Sequence, residues 1–346
     1  MSKDTKIILG ISCGDINGIG LETLIKAFSQ PALFDLCVPV LYAPQSVVDY
    51  YKQLYGFSDF KYHVIKNVEY VASNKFNLIS FHNKTISVSP GLSSDFSGKI
   101  AGCSLDLAIQ DLHKSAIDVL VTLPINKHNV ALHKQGFLGH TEYLAQSFGG
   151  VDDLMILCNE HLRVATVTNH IPLINVPQLI TKKLVHTKLQ TLLYTLRVDF
   201  MIKEPKIAVL GLNPHAGDDG LIGQEDKDVI QPVVQSFVGS TKLVDGPYSA
   251  DGFFGSGNYK KFDAILAMYH DQALIPFKVI SFGSGVNYTA GLPIIRVSPD
   301  HGVGYDIAGM NRAKEGSLLS AILLGVRLYK NRQSYFVDMR KTNNVS

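Results

Sequence analysis

The chain lacks tryptophan, has only four cysteines among its 346 residues and carries no large excess of charge of either sign. Its 32 basic and 30 acidic side chains give a formal net charge of +2, which argues against nucleic-acid binding or a polybasic membrane anchor as its main role. No two cysteines form a Cys-x-x-Cys pair, which argues against a thiolate zinc site or a redox dithiol. So few cysteines in so long a chain also argue against a disulfide scaffold.

Long apolar runs are missing as well. No stretch approaches about 18 consecutive apolar residues, so the sequence predicts no transmembrane helix. The first apolar run, residues 7–11, is too short for the core of a signal peptide. Internal repeats, low-complexity tracts and flexible linkers are also lacking. The sequence therefore predicts a soluble cytoplasmic protein, with two domains or one large α/β unit.

What the sequence does contain is a series of short apolar runs, each followed by a glycine- or proline-marked turn and then by helical periodicity. The runs lie at 7–12, 38–42, 118–123, 163–168, 206–212 and 264–268. Their continuous hydrophobicity predicts strands covered on both faces. Helices are predicted at 98–115, 181–197 and 316–329. Strands that alternate with helices indicate a mostly parallel sheet, in which ligands bind at the carboxyl ends of the strands.

Polar clusters follow several of these runs. The first, residues 14–20 with three glycines, fits neither the dinucleotide fingerprint nor the P-loop, and alone it predicts a plain strand–helix turn as readily as a ligand loop. In the second, Lys127 is a candidate for anion binding or proton transfer, or a solvated helix lysine. His140 and Thr141 lie at a predicted helix start, where Thr141 could serve only as a cap.

Three histidines, His170, His215 and His270, each closely follow an apolar run. Three neutral imidazoles suffice to bind a catalytic divalent metal and leave positions open for substrate or water. Their wide spacing in the sequence excludes a zinc finger, so they would have to converge at neighbouring strand ends. The alternative for each of them is a hydrogen-bonded structural histidine.

Two further clusters lie in the last quarter of the chain. Lys278, Asn287 and Arg296 include a point charge and a rigid guanidinium fork, which together suit a phosphate or carboxylate, although basic pairs are also common on surfaces. Residues 300–309 are dense in glycine, aspartate and histidine. This composition predicts a tightly turned loop that approaches a ligand, with a structural turn as the alternative.

Taken together, these strings resemble the 4-hydroxythreonine-4-phosphate dehydrogenase (PdxA) family of pyridoxal phosphate biosynthesis. The matching segments occur in family order over nearly the whole chain, at 14–22, 122–127, 139–142, 169–173, 211–217, 268–278, 287–296 and 300–309. The resemblance implies two α/β/α domains, as in isocitrate and isopropylmalate dehydrogenases, with the active site in the interdomain cleft at a dimer interface. It implies a cofactor-side domain of residues 1–127 plus 295–346, and a central domain of 128–294 for metal, substrate and dimerisation.

The resemblance also implies roles for individual residues. Substrate binding maps onto His140, Thr141, Lys278, Asn287 and Arg296, with Lys127 and His140 as the catalytic candidates. A divalent metal (zinc, or magnesium, cobalt or manganese) maps onto His170, His215 and His270, one of which, His270 by family analogy, comes from the partner subunit. NAD or NADP maps onto a loop that contains His301, Gly302 and Asp306.

The implied reaction is the NAD(P)-dependent oxidation of 4-phosphohydroxy-L-threonine, followed by decarboxylation to 3-amino-2-oxopropyl phosphate. One alternative is a dehydrogenase of the same family that acts on 4-phospho-threonate or 4-phospho-erythronate. A more distant alternative is a metal-dependent hydrolase or aldolase of a phosphorylated substrate. The expected partners are a small phosphorylated substrate and a second copy of the chain, with no nucleic acid and no membrane.

Overall fold

The computed structural model describes residues 6–149, 152–237, 243–281 and 283–343. In chain order the strands are β1 (Ile7–Ser12), β2 (Cys37–Tyr42), β3 (Tyr62–Ile65), β4 (Phe76–Ile79), β5 (Val119–Thr122), β6 (Leu154–Cys158), β7 (Arg163–Thr166), β8 (Ile207–Leu210), β9 (Val244–Tyr248), β10 (Ala264–Ala267), β11 (Val286–Ala290) and β12 (Ile295–Pro299). Among these residues, none of the helices combines the length and hydropathy that a membrane span requires.

The helices, in chain order, are α1 (Gly20–Phe28), α2 (Leu33–Leu36), α3 (Gln45–Tyr55), α4 (Asp95–His113), α5 (Lys127–Ala131), α6 (His140–Ser147), α7 (Val176–Leu179), α8 (Lys182–Val198), α9 (Gln231–Ser236), α10 (Ala250–Gly255), α11 (His270–Ile280) and α12 (Gly316–Asn343). Shorter helical turns lie at Val68–Tyr70, Leu173–Asn175, Pro214–Gly220, Asp226–Ile230 and Asn258–Lys261.

The chain forms two compact units, and each combines strands with helices, which confirms the expected α/β class. Unit 1 comprises Met1–Gly149 and Pro293–Tyr329, and unit 2 comprises Gly150–Leu292 and Lys330–Ser346. The sequence placed the divisions after residues 127 and 294 and assigned the end of the chain to the first domain. In the structure, α5 and α6 belong to unit 1 and the end of α12 belongs to unit 2.

Unit 1 contains six parallel strands in the order β3-β4-β2-β1-β5-β12. Every residue of β2, β4 and β5 is buried, as the continuous apolar runs predict for strands covered on both faces. Three loops follow the adjacent strands β1, β5 and β12: the β1 loop (residues 13–19), the β5 loop (residues 123–126) and the β12 loop (residues 300–313). Because the carboxyl ends of parallel strands share one edge of a sheet, these loops lie together.

Unit 2 contains six strands in the order β11-β6-β7-β10-β8-β9. Strands β7, β10, β8 and β9 are parallel, whereas β6 runs antiparallel to both of its neighbours, β7 and β11. The expectation of a mostly parallel sheet therefore holds for unit 1 and for one side of unit 2. The histidines His170, His270 and His215 follow the adjacent parallel strands β7, β10 and β8.

Helix α8 illustrates how local sequence produces these elements. Thr181 precedes the helix, and its hydroxyl accepts a hydrogen bond from the Leu184 amide at 3.3 Å, which satisfies one of the amides left unpaired at a helix start. The apolar side chains at helical spacing are all buried, namely Val185, Leu189, Leu192, Leu193 and Leu196. The amphipathic pattern thus predicts both the helix and the face that it packs against the sheet.

Candidate active site

Arg296, on β12, is a buried cation. Together with Lys127 and His140 it forms the polar cluster of unit 1. Its side chain is only 2% exposed, and its Nε and one terminal nitrogen donate to the Thr122 hydroxyl at 3.0 and 2.5 Å. Burial lowers the pKa of Arg296 to about 9, and the Glu142 carboxylate opposes that shift. A buried guanidinium attracts anions strongly, because water no longer solvates its charge, so the position suits the binding of a charged substrate group.

His140 and Thr141, at the start of α6, lie in the same cluster. Thr141 is buried, and His140 is half-buried as a residue, although its Nε2 atom is excluded from solvent and has no hydrogen-bond partner. Burial lowers the pKa of His140 well below its usual range, and the positive charges of Arg296 and Lys127 add to that effect. The structure therefore brings Lys127, His140 and Arg296 together, with His140 held as a neutral imidazole.

The state of His140 predicts a pH dependence of stability. Below about pH 6.5 the unfolded chain binds a proton at this histidine and the folded chain does not, so the unfolded state holds more protons. The free energy of unfolding should therefore fall as the pH drops below 6.5, with a contribution of up to about 1.4 kcal/mol per pH unit. In urea titrations at pH 5 to 7, His140→Gln should flatten this fall. The exposed His161→Gln control should keep the wild-type slope, and an unchanged slope in His140→Gln would contradict the assignment.

The β12 loop carries the residues expected to bind the dinucleotide. The Nδ1 atom of His301 lies 3.0 Å from the Gly302 carbonyl oxygen, so Nδ1 carries the hydrogen in this contact and Nε2 keeps its lone pair. This Nε2 atom is buried and has no partner. The Gly302 Cα faces open space, and Asp306 is exposed. The loop thus contains an unsatisfied acceptor and, at the next residue, a glycine whose Cα borders open space.

Two of the expected metal ligands lie side by side in unit 2. The ring centroids of His170 and His270 are 5.7 Å apart. The His270 Nδ1 atom lies 2.7 Å from an oxygen of Asp271, a contact that orients the ring and leaves its Nε2 available, as outer carboxylates do at metal centres. Gln272 joins the two neighbouring strand ends: its oxygen accepts from the Met268 amide, and its nitrogen donates to the Gly211 carbonyl oxygen, both at 2.7 Å.

His215 lies in a left-handed turn, in which residues 215–219 all have positive φ. This conformation costs non-glycine residues roughly 1–2 kcal/mol each, so the surrounding contacts must hold it. The buried Asp226 carboxylate accepts hydrogen bonds from the amides of Leu212 and Asn213, at 2.7 and 3.1 Å. Within the part of the chain that the structure describes, no three His, Cys, Asp or Glu side chains are grouped as a metal site. One chain therefore pairs His170 with His270 and does not bring His215 to them.

The remaining predicted substrate ligands, Lys278 and Asn287, are both in unit 2. Lys278 is exposed near the carboxyl end of α11. Asn287 lies on β11, and its side-chain oxygen is buried without a hydrogen-bond partner. An unsatisfied buried acceptor is costly, which makes Asn287 a candidate for binding a hydrogen-bond donor of a ligand.

Sequence reasoning missed the residues that support these groups. Asp15, Glu22 and Asp226 are buried carboxylates, and Thr122 is the hydroxyl beneath Arg296. The available signal was local: Asp15 lies in the glycine-rich loop, and Glu22 is spaced to pair with Lys26 on α1. No signal in the sequence connects them to partners far along the chain.

Comparisons with known proteins show which family the chain is similar to. The family model described as "Pyridoxal phosphate biosynthetic protein PdxA" matches residues 35–325. The 4-hydroxythreonine-4-phosphate dehydrogenase of Bacteroides thetaiotaomicron is 42% identical over 332 residues, which cover 96% of this chain and 91% of that protein. The protein of the same name from Sulfurihydrogenibium sp. is 39% identical and covers 94% of this chain and 99% of its own. A crystal structure of 4-hydroxythreonine-4-phosphate dehydrogenase from Klebsiella pneumoniae has a TM-score of 0.78 at 30% identity, with 95% of this chain and 99% of the other covered.

Proposed function

The chain belongs to the PdxA family, and on that premise we propose that it oxidises 4-phosphohydroxy-L-threonine with NAD or NADP. The oxidised product then loses carbon dioxide and gives 3-amino-2-oxopropyl phosphate, a precursor in pyridoxal 5′-phosphate biosynthesis. The protein is in this proposal an oxidoreductase with a phosphorylated amino-acid substrate.

The observation that carries the proposal is the polar cluster of unit 1. It combines the buried guanidinium of Arg296 with the solvent-excluded Nε2 of His140 and with Lys127. A phosphate or carboxylate could accept a charge-assisted hydrogen bond from the Arg296 guanidinium. We propose that Thr141 completes this binding set, and that Lys278 and Asn287 bind other polar groups of the same substrate.

Two features of the β12 loop support the proposal that the cofactor is a dinucleotide. The lone pair on His301 Nε2 fits an amino group such as that of adenine, and Gly302 leaves the backbone accessible. We propose that these two residues and Asp306 bind the adenosine side of NAD or NADP. The glycine-rich β1 loop lacks the dinucleotide fingerprint, which agrees with a binding mode outside the Rossmann type.

The paired imidazoles of His170 and His270 fit a divalent metal, because two neutral ring nitrogens and an orienting carboxylate are typical of such centres. We propose that His215 is the third ligand and that the complete set is formed in a homodimer. The resemblance assigns His270 to the partner subunit, whereas one chain already places its own His270 beside His170. Exposed apolar side chains on the segments that follow these two histidines suit such an interface: Leu173, Ile174, Ile275 and Val279 are each more than 60% exposed.

In this proposal, individual residues of the chain have separate roles in the reaction. When bound, the dinucleotide supplies a hydride acceptor and the metal supplies a Lewis acid. Arg296 and Lys278 hold the anionic groups, so that the substrate hydroxyl and carboxylate keep fixed positions. Lys127, as a neutral amine, and His140, as a neutral imidazole, are the candidates that take the proton from the hydroxyl as hydride leaves the same carbon. The resulting ketone lies β to the carboxylate, and carbon–carbon cleavage then releases carbon dioxide.

Purified protein tests this function directly. With 4-phosphohydroxy-L-threonine and either NAD or NADP, we expect nicotinamide reduction and carbon dioxide release in equal amounts. Prior treatment with a chelator should abolish both, and added zinc, cobalt, manganese or magnesium should restore them. The matched reactions contain 4-phospho-threonate or 4-phospho-erythronate in place of the amino-acid substrate.

Each alternative has its own outcome in this assay. A preference for 4-phospho-erythronate or 4-phospho-threonate would replace the proposed substrate with a sugar acid. Turnover of the substrate without any dinucleotide would indicate a hydrolase or aldolase. Activity that survives complete removal of bound metal would exclude the role proposed for the three histidines.

A further inference from the structure

The β12 loop is anchored at its carboxyl end by a buried ion pair on α1. Glu22 is fully buried, and one of its oxygens accepts from the Lys26 ammonium at 2.7 Å and from the Ala313 amide at 2.8 Å. The same ammonium donates to the carbonyl oxygens of Ala313 and Asn311, at 2.8 and 3.2 Å. This clamp fixes the end of the loop, at some distance along the chain from His301 and Gly302.

The middle of the loop is held differently, by Tyr305. Its hydroxyl donates to Asp15 at 2.7 Å, and the Asn126 amide group donates to that hydroxyl at 3.4 Å. Asp15 is 1% exposed, and its carboxylate also accepts from the Ser97 hydroxyl and the Asn17 amide, both at 2.9 Å. Burial, and next the bond to Asp15, raise the pKa of Tyr305 to about 12, so the hydroxyl stays protonated as a donor.

Asn126 connects the Tyr305 hydroxyl to α5, the helix that begins with Lys127. Asn126 is the cap of α5, and its side-chain oxygen accepts from the Asn129 amide at 3.2 Å. The next residue, Lys127, is the first of the helix. Tyr305 thus stands between the residues assigned to the dinucleotide and the residue assigned to proton transfer.

We propose that Tyr305 is a positioning residue, whose hydroxyl fixes the β12 loop relative to the amino end of α5 so that a bound dinucleotide is aligned with Lys127. The inference rests on the proposed function. Without the Tyr305 hydroxyl, the Asp15 carboxylate accepts only from Ser97 and Asn17. The β12 loop then samples more positions. The dinucleotide must then select the competent loop conformation, which weakens its apparent affinity.

Tyr305→Phe tests this role, because it removes one oxygen and leaves the ring. The loss of a hydrogen bond to a carboxylate should raise the Kd for NADH or NADPH, followed by nucleotide fluorescence, about tenfold. The KM for the phosphorylated substrate should stay within twofold. Asn126→Ser keeps a good helix cap but removes the donor to Tyr305, and should shift the dinucleotide Kd in the same direction by a smaller factor.

The matched control is Tyr329→Phe. The Tyr329 hydroxyl donates to Asp118 at 2.5 Å, and the Asp118 carboxylate binds the Ile8 amide at the amino ends of β1 and β5, the opposite edge of the sheet from the β12 loop. This variant should bind the dinucleotide as the wild type does. If wild-type protein binds neither NADH nor NADPH, the proposed function fails. If it binds one of them and Tyr305→Phe binds it equally well, only the positioning role is overturned.

Discussion

Replacement of Arg296 by methionine should lower kcat/KM for the phosphorylated substrate by about a thousandfold, which corresponds to about 4 kcal/mol. Methionine keeps most of the buried volume but removes the charge and all donors. A buried charge that loses its partner in a complex costs about 2–5 kcal/mol or more, because the bound anion has then left water without compensation. Steady-state kinetics with a fixed saturating dinucleotide concentration measure this loss, most of which should appear in the KM for the substrate.

Two companion variants separate charge, geometry and folding. Arg296→Lys restores a cation but not the planar fork that binds an anion through two hydrogen bonds, so it should recover only part of the affinity. Arg163→Met removes a structural arginine, whose guanidinium donates to the Asp263 carbonyl oxygen at 3.1 Å and lies 4.7 Å from the Phe200 ring centroid. It should reduce stability and leave kcat/KM close to the wild-type value.

The stability of Arg296→Met provides a second, independent readout. A cation whose pKa is lowered by burial destabilises the substrate-free fold, so its removal should leave the free energy of unfolding unchanged or raise it. Opposite changes in stability and activity identify a residue retained for binding. A variant that unfolds readily but keeps its affinity for substrate would instead show that Arg296 is structural.

The six apolar runs correspond to β1, β2, β5, β7, β8 and β10, and they did not include the antiparallel pair β6 and β11. The run 7–12 coincides with β1, because a strand buried on both faces must be apolar along its whole length. The strands β6 and β11 are also apolar or buried over most of their residues, yet they pair in antiparallel fashion within unit 2. Hydrophobicity along one strand contains no information about the direction of its neighbour, which depends on contacts with residues far along the chain.

The candidate site was predictable to the extent that its residues directly follow strands. This rule placed His170, His215 and His270 at adjacent strand ends of unit 2. It could not predict the supporting carboxylates, because their partners are set by the fold: the Glu22 side chain binds the backbone of Ala313, 291 residues away. Nor could it place α6 in unit 1, since its amphipathic pattern is equally compatible with packing against either sheet.

Asp199→Asn should destabilise unit 2 by about 3–5 kcal/mol, the usual cost of leaving a buried charge without its partner. Asp199 is 1% exposed and accepts from the Arg332 Nε at 2.7 Å and from the Tyr288 hydroxyl at 2.6 Å. Arg332, on α12, also donates to the Leu292 carbonyl oxygen at 3.1 Å. The neutral amide keeps the shape of the side chain but leaves the guanidinium, which is largely buried, uncompensated. Urea unfolding followed by circular dichroism measures the change.

A double-mutant cycle shows whether this loss arises from the charge or from the shape. Arg332→Met alone should also be destabilising, because Asp199 then remains as an unpaired buried anion. The double variant Asp199→Asn with Arg332→Met contains no orphaned charge, so it should be more stable than the sum of the two single losses by about 2 kcal/mol or more. Additive losses would mean that the two side chains act independently. Because both residues belong to unit 2 and Arg296 belongs to unit 1, a refolded double variant should keep Arg296-dependent substrate binding, which separates the stability of unit 2 from the chemistry of the site.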